Sequence, residues 1–324
     1  MIYTGLYRSL ITIPVAICLF FILHSCGNGE HLPVTTEISQ LHFADPVLQE
    51  CVVNHARERN WHTSGEIEEL QCTNPEGKGI SNLSGIENLV NLTILDLAHN
   101  NIQEMSLIDR LSNLTNLDLG YNRIKVPVLD NQRLNLQWLN LHHNQIEDIS
   151  SLAVLKNIHH LSLSHNRINK IDTLAELATL RSLNISHNRI ESIAPLAKIS
   201  RLEEIDLASN RVSDLSPLQS HSSLRTVQAG DNLISDLSPL RTLSQLEVLD
   251  LSSNRIVDIN PLESVSSIRQ LNLAGNRVAT AKPLEDFSEL ESLDVGGNPL
   301  PCEELRKLTR TLGTDVVENS CRKQ

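Results

Sequence analysis

"IHHLSLSHNRI", residues 158–168, sets His159, His160 and His165 within eleven residues. Such density fits a metal or catalytic cluster, or one turn of a repeated unit. The rest of the chain decides between them. The asparagine of this phrase, Asn166, belongs to a series: Asn100, Asn122, Asn144, Asn166, Asn188, Asn210, Asn232, Asn254, Asn276 and Asn298, each 22 residues from the next. Eight residues before each Asn stands Leu or Ile, and five before stands Leu, Ile or Val. Three before, only Ala229 departs from a branched aliphatic; two after, the residue is always Ile, Val or Leu. Four apolar columns filled over ten rows make the phrase one turn of a repeat.

The physics of one row predicts its shape. The L-x-L spacing has period two, so both leucines point inward from a short strand. Stacked rows then give a parallel sheet along one wall of a solenoid. Pro195, Pro217, Pro239, Pro261 and Pro283 share one column, where a fixed φ suits a tight returning turn and a missing N–H costs no ladder bond. At the inward bend an Asn amide can bond the backbone of its own turn and of its neighbour, so the ten asparagines read as structural. In "VPVLDNQRL", Pro127, Asp130 and Arg133 break the apolar frame, and His221 and Ala281 interrupt later turns. Local irregularity is expected near 125–135.

The pattern L-x-x-L-x-L-x-x-N-x-I resembles the leucine-rich repeat superfamily. The 22-residue period and the phrases "SIAPL", "DLSPL" and "DINPL" are similar to the bacterial internalins, and also to the leucine-rich regulatory subunit of protein phosphatase 1. The resemblance covers about residues 65–301. It implies an α/β solenoid: a curved rod with a parallel β-sheet on its concave face, 3-10 or irregular convex turns, and a helical cap at each end. Internalin resemblance implies adhesion or receptor contact, an analogy from fold alone.

A solenoid exposes its core at both ends and needs caps. In "FADPVLQECVVNHARERNW", Asp45 is a good N-cap and Pro46 a good first helical residue. Val47, Leu48, Cys51 and Val52 form one apolar face. At the far end, Leu305, Leu308 and Leu312 fall on one face of "EELRKLTRTLG", and Gly313 can end that helix. Strands stack about 4.8 Å apart, so ten repeats separate the caps by roughly 45 Å. A disulfide needs Cα atoms within about 7 Å. The pairs expected are therefore Cys51–Cys72 and Cys302–Cys321.

The leader reads separately. "LITIPVAICLFFIL" is too short for a bilayer span, which needs roughly 20 residues, and suits a signal-peptide core. It runs into "LHSC", which resembles a bacterial lipobox with Cys26 as the lipidated residue; the alternative is an ordinary signal peptide or an uncleaved short anchor. The expected organisation is a lipoprotein signal peptide over 1–25, a flexible tether over 26–40, an N-terminal cap over 41–64, repeats over 65–300 and a C-terminal cap over 301–324. The phosphatase-regulator analogy fails on compartment, because this chain reads as exported.

Composition narrows the partners. Hydrophobic residues make up 40% of the chain, aromatics only 3%, and the net charge is −12. That balance excludes a nucleic-acid footprint and favours a neutral or basic protein partner. The membrane is reached through the lipid anchor alone, and a monomer is expected. Positions four and six before each Asn, and one or two before it, point onto the concave face. They present Asn116, Tyr121, Trp138, Asn140, His142, His143, His160, His165, His187, Glu204 and Asp206. Trp138 is expected to be exposed and to centre a contact region with Tyr121 and His160, steered by Glu204, Asp206, Asp250, Asp96 and Asp118. His99, His143, His165 and His187 share the column just before the Asn, with Tyr121 in the gap. Stacked rows can bring two imidazoles together, but a zinc site wants three or four converging ligands and no Cys or carboxylate arrives with them. No acid–base pair or nucleophile constellation stands out, so no enzyme activity or cofactor is expected. Arg123, Arg167, Arg189, Arg211, Arg255 and Arg277 follow the Asn column and read as a solvated edge. The function expected is non-catalytic protein recognition from the bacterial envelope, as an outer-membrane or surface lipoprotein. The alternatives are a structural envelope protein and a metal-binding histidine cluster.

Overall fold

The computed structural model describes residues 35–74, 78–130, 134–285, 287–313 and 317–318. The signal peptide, the lipid site Cys26 and the first part of the tether lie outside them. Among the described residues no helix is long and apolar enough to cross a membrane.

Among the described residues, twelve short strands form one parallel sheet in strict chain order. They are β1 (Glu69–Gln71), β2 (Ile94–Asp96), β3 (Asn116–Asp118), β4 (Trp138–Asn140), β5 (His160–Ser162), β6 (Ser182–Asn184), β7 (Glu204–Asp206), β8 (Thr226–Gln228), β9 (Val248–Asp250), β10 (Gln270–Asn272), β11 (Ser292–Asp294) and β12 (Val317–Glu318). The register advances 22 residues at each step through the repeats, Trp138 standing against Asn116 on one side and His160 on the other. The middle residue of each repeat strand points inward: Leu117, Leu139, Leu161, Leu183 and Ile205 are buried. With the other three apolar columns they make one continuous core from Leu41 to Leu308.

The amide ladder takes the predicted place. Nδ2 of Asn166 donates to the carbonyls of Leu141 (2.9 Å), Leu163 (3.0 Å) and Ser164 (3.2 Å), and its Oδ1 accepts the Ile146 N–H (2.9 Å). The same set recurs with a 22-residue step from Asn100 to Asn298. These bonds satisfy the backbone exactly where the chain leaves the strand and no sheet partner can.

The returning segments are 3-10 turns, and the proline column enters them at the second residue, as in Ala194–Lys198 and Asn260–Ser264. Between β3 and β4 the described residues form no such turn, and Val126 and Val128 are exposed. This is the irregularity expected near 125–135. His221 is fully buried in an apolar column, its Nε2 3.1 Å from the Leu196 carbonyl and its Nδ1 3.3 Å from that of Leu218.

Helix α1 (Pro46–Arg59) caps the first end, with Asp45 accepting from the Val47 and Leu48 amides. The other Asp45 oxygen accepts from Ser81 N–H and Oγ, pinning the helix to the first repeat. Burial works against the Asp45 charge, but the bonds from Ser81, Val47 and Asn82 win and hold its carboxyl below the usual range. Cys51 of α1 is bonded to Cys72, with Cα atoms 5.9 Å apart. The boundary of the tether needs correction. Residues 35–40 are fastened to the cap: Thr36 N–H donates to Ser64 Oγ, Ile38 N–H to the His62 carbonyl, and Glu37 bridges Thr63. Backbone bonds hold this polar stretch, and Ile38 alone among its side chains packs against the hydrophobic core. Helix α2 (Cys302–Leu312) closes the far end on Leu305 and Leu308, and Gly313 stops it at φ 99°. Cys302 is disulfide-bonded; its expected partner, Cys321, lies outside the described residues.

Candidate functional site: a ring-bearing concave wall

The concave wall carries three columns. Trp138, His160 and Glu204 lie in the first, on the leading residue of each strand. Trp138 is half-buried rather than open, while His160 and Glu204 are exposed. Asn116 is half-buried in the same column.

The second column, on the third strand residue, is less available than its pattern implies. Asp96, Asp118, Asn140, Asn184, Asp206, Asp250, Asn272 and Asp294 each accept the backbone N–H two residues on. This is an Asx turn repeated along the sheet, and it commits one side-chain oxygen per row. Asn140 is corrected by this finding. It is only 8% exposed, its Nδ2 donates to both Asp118 oxygens (3.1 and 3.0 Å), and its Oδ1 accepts from His142 Nδ1 at 2.5 Å. It joins His142 to Asp118 and leaves little of itself on the open surface of the wall. Burial pushes the Asp96, Asp118 and Asp206 carboxyls up, with Asp118 adding to the effect at Asp96 and Asp250 at Asp206. Asp206 is therefore less open to the surface of the wall than exposed Glu204.

The third column is the one just before each Asn, and its backbone is left-handed throughout. His99, Tyr121, His143, His165, His187, Ser209, Asp231 and Ser253 have φ between 52° and 59°, and Gly275 and Gly297 continue it at 68° and 72°. The reversal lets the next residue, the Asn, turn into the core. His, Ser, Asp and Gly are types that bear this conformation; Tyr121 is the bulky exception, and left-handed backbone costs it roughly 1 kcal/mol. The five rings of this column stack face to face. Centroid separations are 4.2 Å for His99–Tyr121, 4.1 Å for Tyr121–His143, and 3.9 Å for both His143–His165 and His165–His187. Interplanar angles do not exceed 23°. His142 stands edge-on to Tyr121 at 4.8 Å and to His143 at 5.1 Å. Tyr121 remains 42% exposed, and His165 and His187 are exposed.

Imidazole lone pairs lie in the ring plane. Rings held nearly parallel aim them in parallel, not at a shared point, so this packing opposes the metal alternative. Among the described residues no group of three or more His, Cys, Asp or Glu is placed to hold a metal ion. Burial lowers the His142, His143 and His165 imidazoles below the usual range, and neighbouring imidazole charges add to the effect. The arginine edge is exposed, with Arg167 facing Glu147 at 3.9 Å and Arg211 facing Glu191 at 3.5 Å. Surface pairs of this kind contribute little to stability.

The sequence brought the histidines into one column but did not show that their rings stack, nor that the second column closes turns. A signal was present for each. Gly275 and Gly297 in the ring column mark a left-handed position, and repeated Asp or Asn three residues before it marks an Asx turn.

Family comparison agrees with this geometry. The family described as "Leucine Rich repeats (2 copies)" matches residues 134–177, 178–220 and 222–264, and "Leucine Rich repeat" matches 88–104. An internalin, InlF, of Listeria monocytogenes is 27% identical with a TM-score of 0.70, over 90% of this chain and 99% of its own. Internalin C2 of the same organism is 30% identical with a TM-score of 0.57, over 76% of this chain and 100% of its own. This chain belongs to the leucine-rich repeat proteins, of the internalin-like type. The functional domain of InlJ, also from Listeria monocytogenes, shares the fold at 22% identity and a TM-score of 0.68, over 82% of this chain and 58% of its own. No curated protein sequence matches the chain.

Proposed function

We propose that this leucine-rich repeat protein is a non-catalytic recognition module that holds a protein partner against its concave wall over β3 to β7. The ring ladder carries the reading. The solenoid imposes left-handed backbone at this position in every row and fills it elsewhere with Ser, Asp or Gly, so a bulky, 42% exposed Tyr121 stacked between histidines is not needed by the fold. Beside it, half-buried Trp138 and exposed His160 offer the rigid, amphipathic anchors that concentrate binding energy. Glu204, with Asp206 and Asp250 behind it, favours a neutral or basic partner and speeds its approach. The lipobox-like "LHSC" and the apolar run before it support display from a bacterial envelope through lipid on Cys26, and the internalin likeness supports an adhesive or receptor-contact role.

The test is capture from envelope and host extracts by the wild type and by Trp138→Ala. Trp138 lies on the wall rather than in the core, so the variant keeps its far-UV circular dichroism and thermal midpoint. Capture should weaken by about tenfold or more, as for a central aromatic anchor. Capture that depends on the lipid but tolerates Trp138→Ala points instead to a structural envelope protein.

A further inference from the structure

Four of the five stacked rings are imidazoles, and a recognition surface has no need of that. His143 sits at the centre, between Tyr121 at 4.1 Å and His165 at 3.9 Å, with His142 edge-on. Its Nδ1 is buried and has no hydrogen-bond partner, so a proton added there finds no acceptor. Two imidazolium rings face to face at 3.9 Å would repel strongly in this half-desolvated setting. Carboxylates bear on the ends of the column: Asp96 and Asp118 interact with His99, and Asp206 with His187. The charges bearing on His143 are those of His142, His187 and His99, and those on His165 are His143 and His187. Tyr121 is the remaining titratable neighbour. The same electrostatics and the burial of these rings keep them neutral at neutral pH, when Glu204, Asp206 and Asp250 set the charge of the wall.

We infer that the ring column is an acid-responsive element: proton uptake by His143 and His165 unstacks it, turns the ring-bearing half of the wall cationic, and expels a basic partner. Expulsion rests on the concave-wall reading; unstacking does not. The experiment is a histidine and tyrosine ring NMR titration of the full chain, beside the double variant His143→Asn, His165→Asn. Asparagine tolerates left-handed backbone and does not titrate. In the wild type, His143 and His165 titrate below the ordinary value of about 6.5. The ring-current shifts at Tyr121 collapse over the same interval, while those of the double variant, which keeps only His99 and His142 beside Tyr121, move far less. Titration at the ordinary value with Tyr121 unmoved, or equal movement in both proteins, overturns the proposal.

A second arm follows a fluorescent nona-arginine peptide by polarisation at pH 7.5 and 5.0. Its affinity should fall about tenfold in the wild type and less than about threefold in the double variant. The variant keeps Asp96, Asp118 and Asp206, so it corrects for carboxylate protonation. Equal losses overturn the expulsion. No binding at pH 7.5, with the titration as expected, refutes a basic partner on this wall and upholds the unstacking.

Discussion

Replacing Asn166 with alanine tests how the amide ladder stabilises the solenoid, and the neighbouring rows set the magnitude. Four hydrogen bonds are lost, but their partners fare unequally. The Leu141 carbonyl keeps the Asn144 amide at 3.1 Å, the Leu163 carbonyl keeps that of Asn188 at 3.0 Å, and the Ser164 carbonyl keeps the His143 N–H at 2.9 Å. The Ile146 N–H keeps nothing, since Asn166 Oδ1 is its acceptor and the surroundings are buried. One orphaned buried donor costs about 1–3 kcal/mol, and weakening the three carbonyls adds roughly 1 kcal/mol. The expected loss is about 2–4 kcal/mol in urea unfolding followed by far-UV circular dichroism. Asn166→Asp should be no better: it keeps an acceptor for Ile146 but sets a buried charge against three carbonyls. A loss below about 0.5 kcal/mol for both variants refutes the argument that the ladder's bonds, rather than apolar stacking alone, hold the bend.

Removing the cap disulfide with Cys51→Ser, Cys72→Ser should cost about 3 kcal/mol, from a closed loop spanning 21 residues. The loss should appear as early unfolding of α1, read by Trp61 fluorescence in a Trp138→Phe background. Leu183→Ala, which empties a fully buried position in the middle of the rod, should cost about 2–5 kcal/mol in the same urea assay. Stability should also decline as pH falls below about 6.5, because the folded chain holds His142, His143 and His165 below the value they take when unfolded, so the unfolded state binds more protons there. The raised Asp96, Asp118 and Asp206 act with the opposite sign: they favour the folded state at low pH, and that contribution is lost as pH rises through their folded values. Denaturant midpoints in steps from pH 7.5 to 4 should therefore fall first and then level; a flat profile contradicts both assignments.

The fold was legible because four aliphatic columns and one asparagine recur at a single stride, and only a solenoid buries them all. The caps were legible from Asp45 and Pro46 at one end and from the Leu305, Leu308 and Leu312 face at the other. The concave wall was half legible. Period two put Trp138, His160 and Glu204 on the right side, but alternation says nothing about what side chains do to one another across rows. Asn140 pointed the predicted way and was then claimed by Asp118 and His142. Asp206 pointed the predicted way and gave an oxygen to its own turn. The stacking of His143 on Tyr121 and His165 is a contact between three successive rows, which no single row displays. Residues 35–40 escaped notice because they are attached mainly through their own backbone N–H groups, and one apolar side chain, Ile38, makes no periodic pattern.

The claim that the concave wall is where this protein meets its partner has one direct test. A photo-crosslinking residue is placed at Ser182 of β6, on the wall beside His160, or at Val257, an exposed side chain outside the sheet. Each protein is then irradiated with the captured partner. A crosslinked partner is expected from position 182, much reduced when Trp138→Ala is combined with it, and none from 257. Crosslinking from 257 with silence at 182 would contradict the claim.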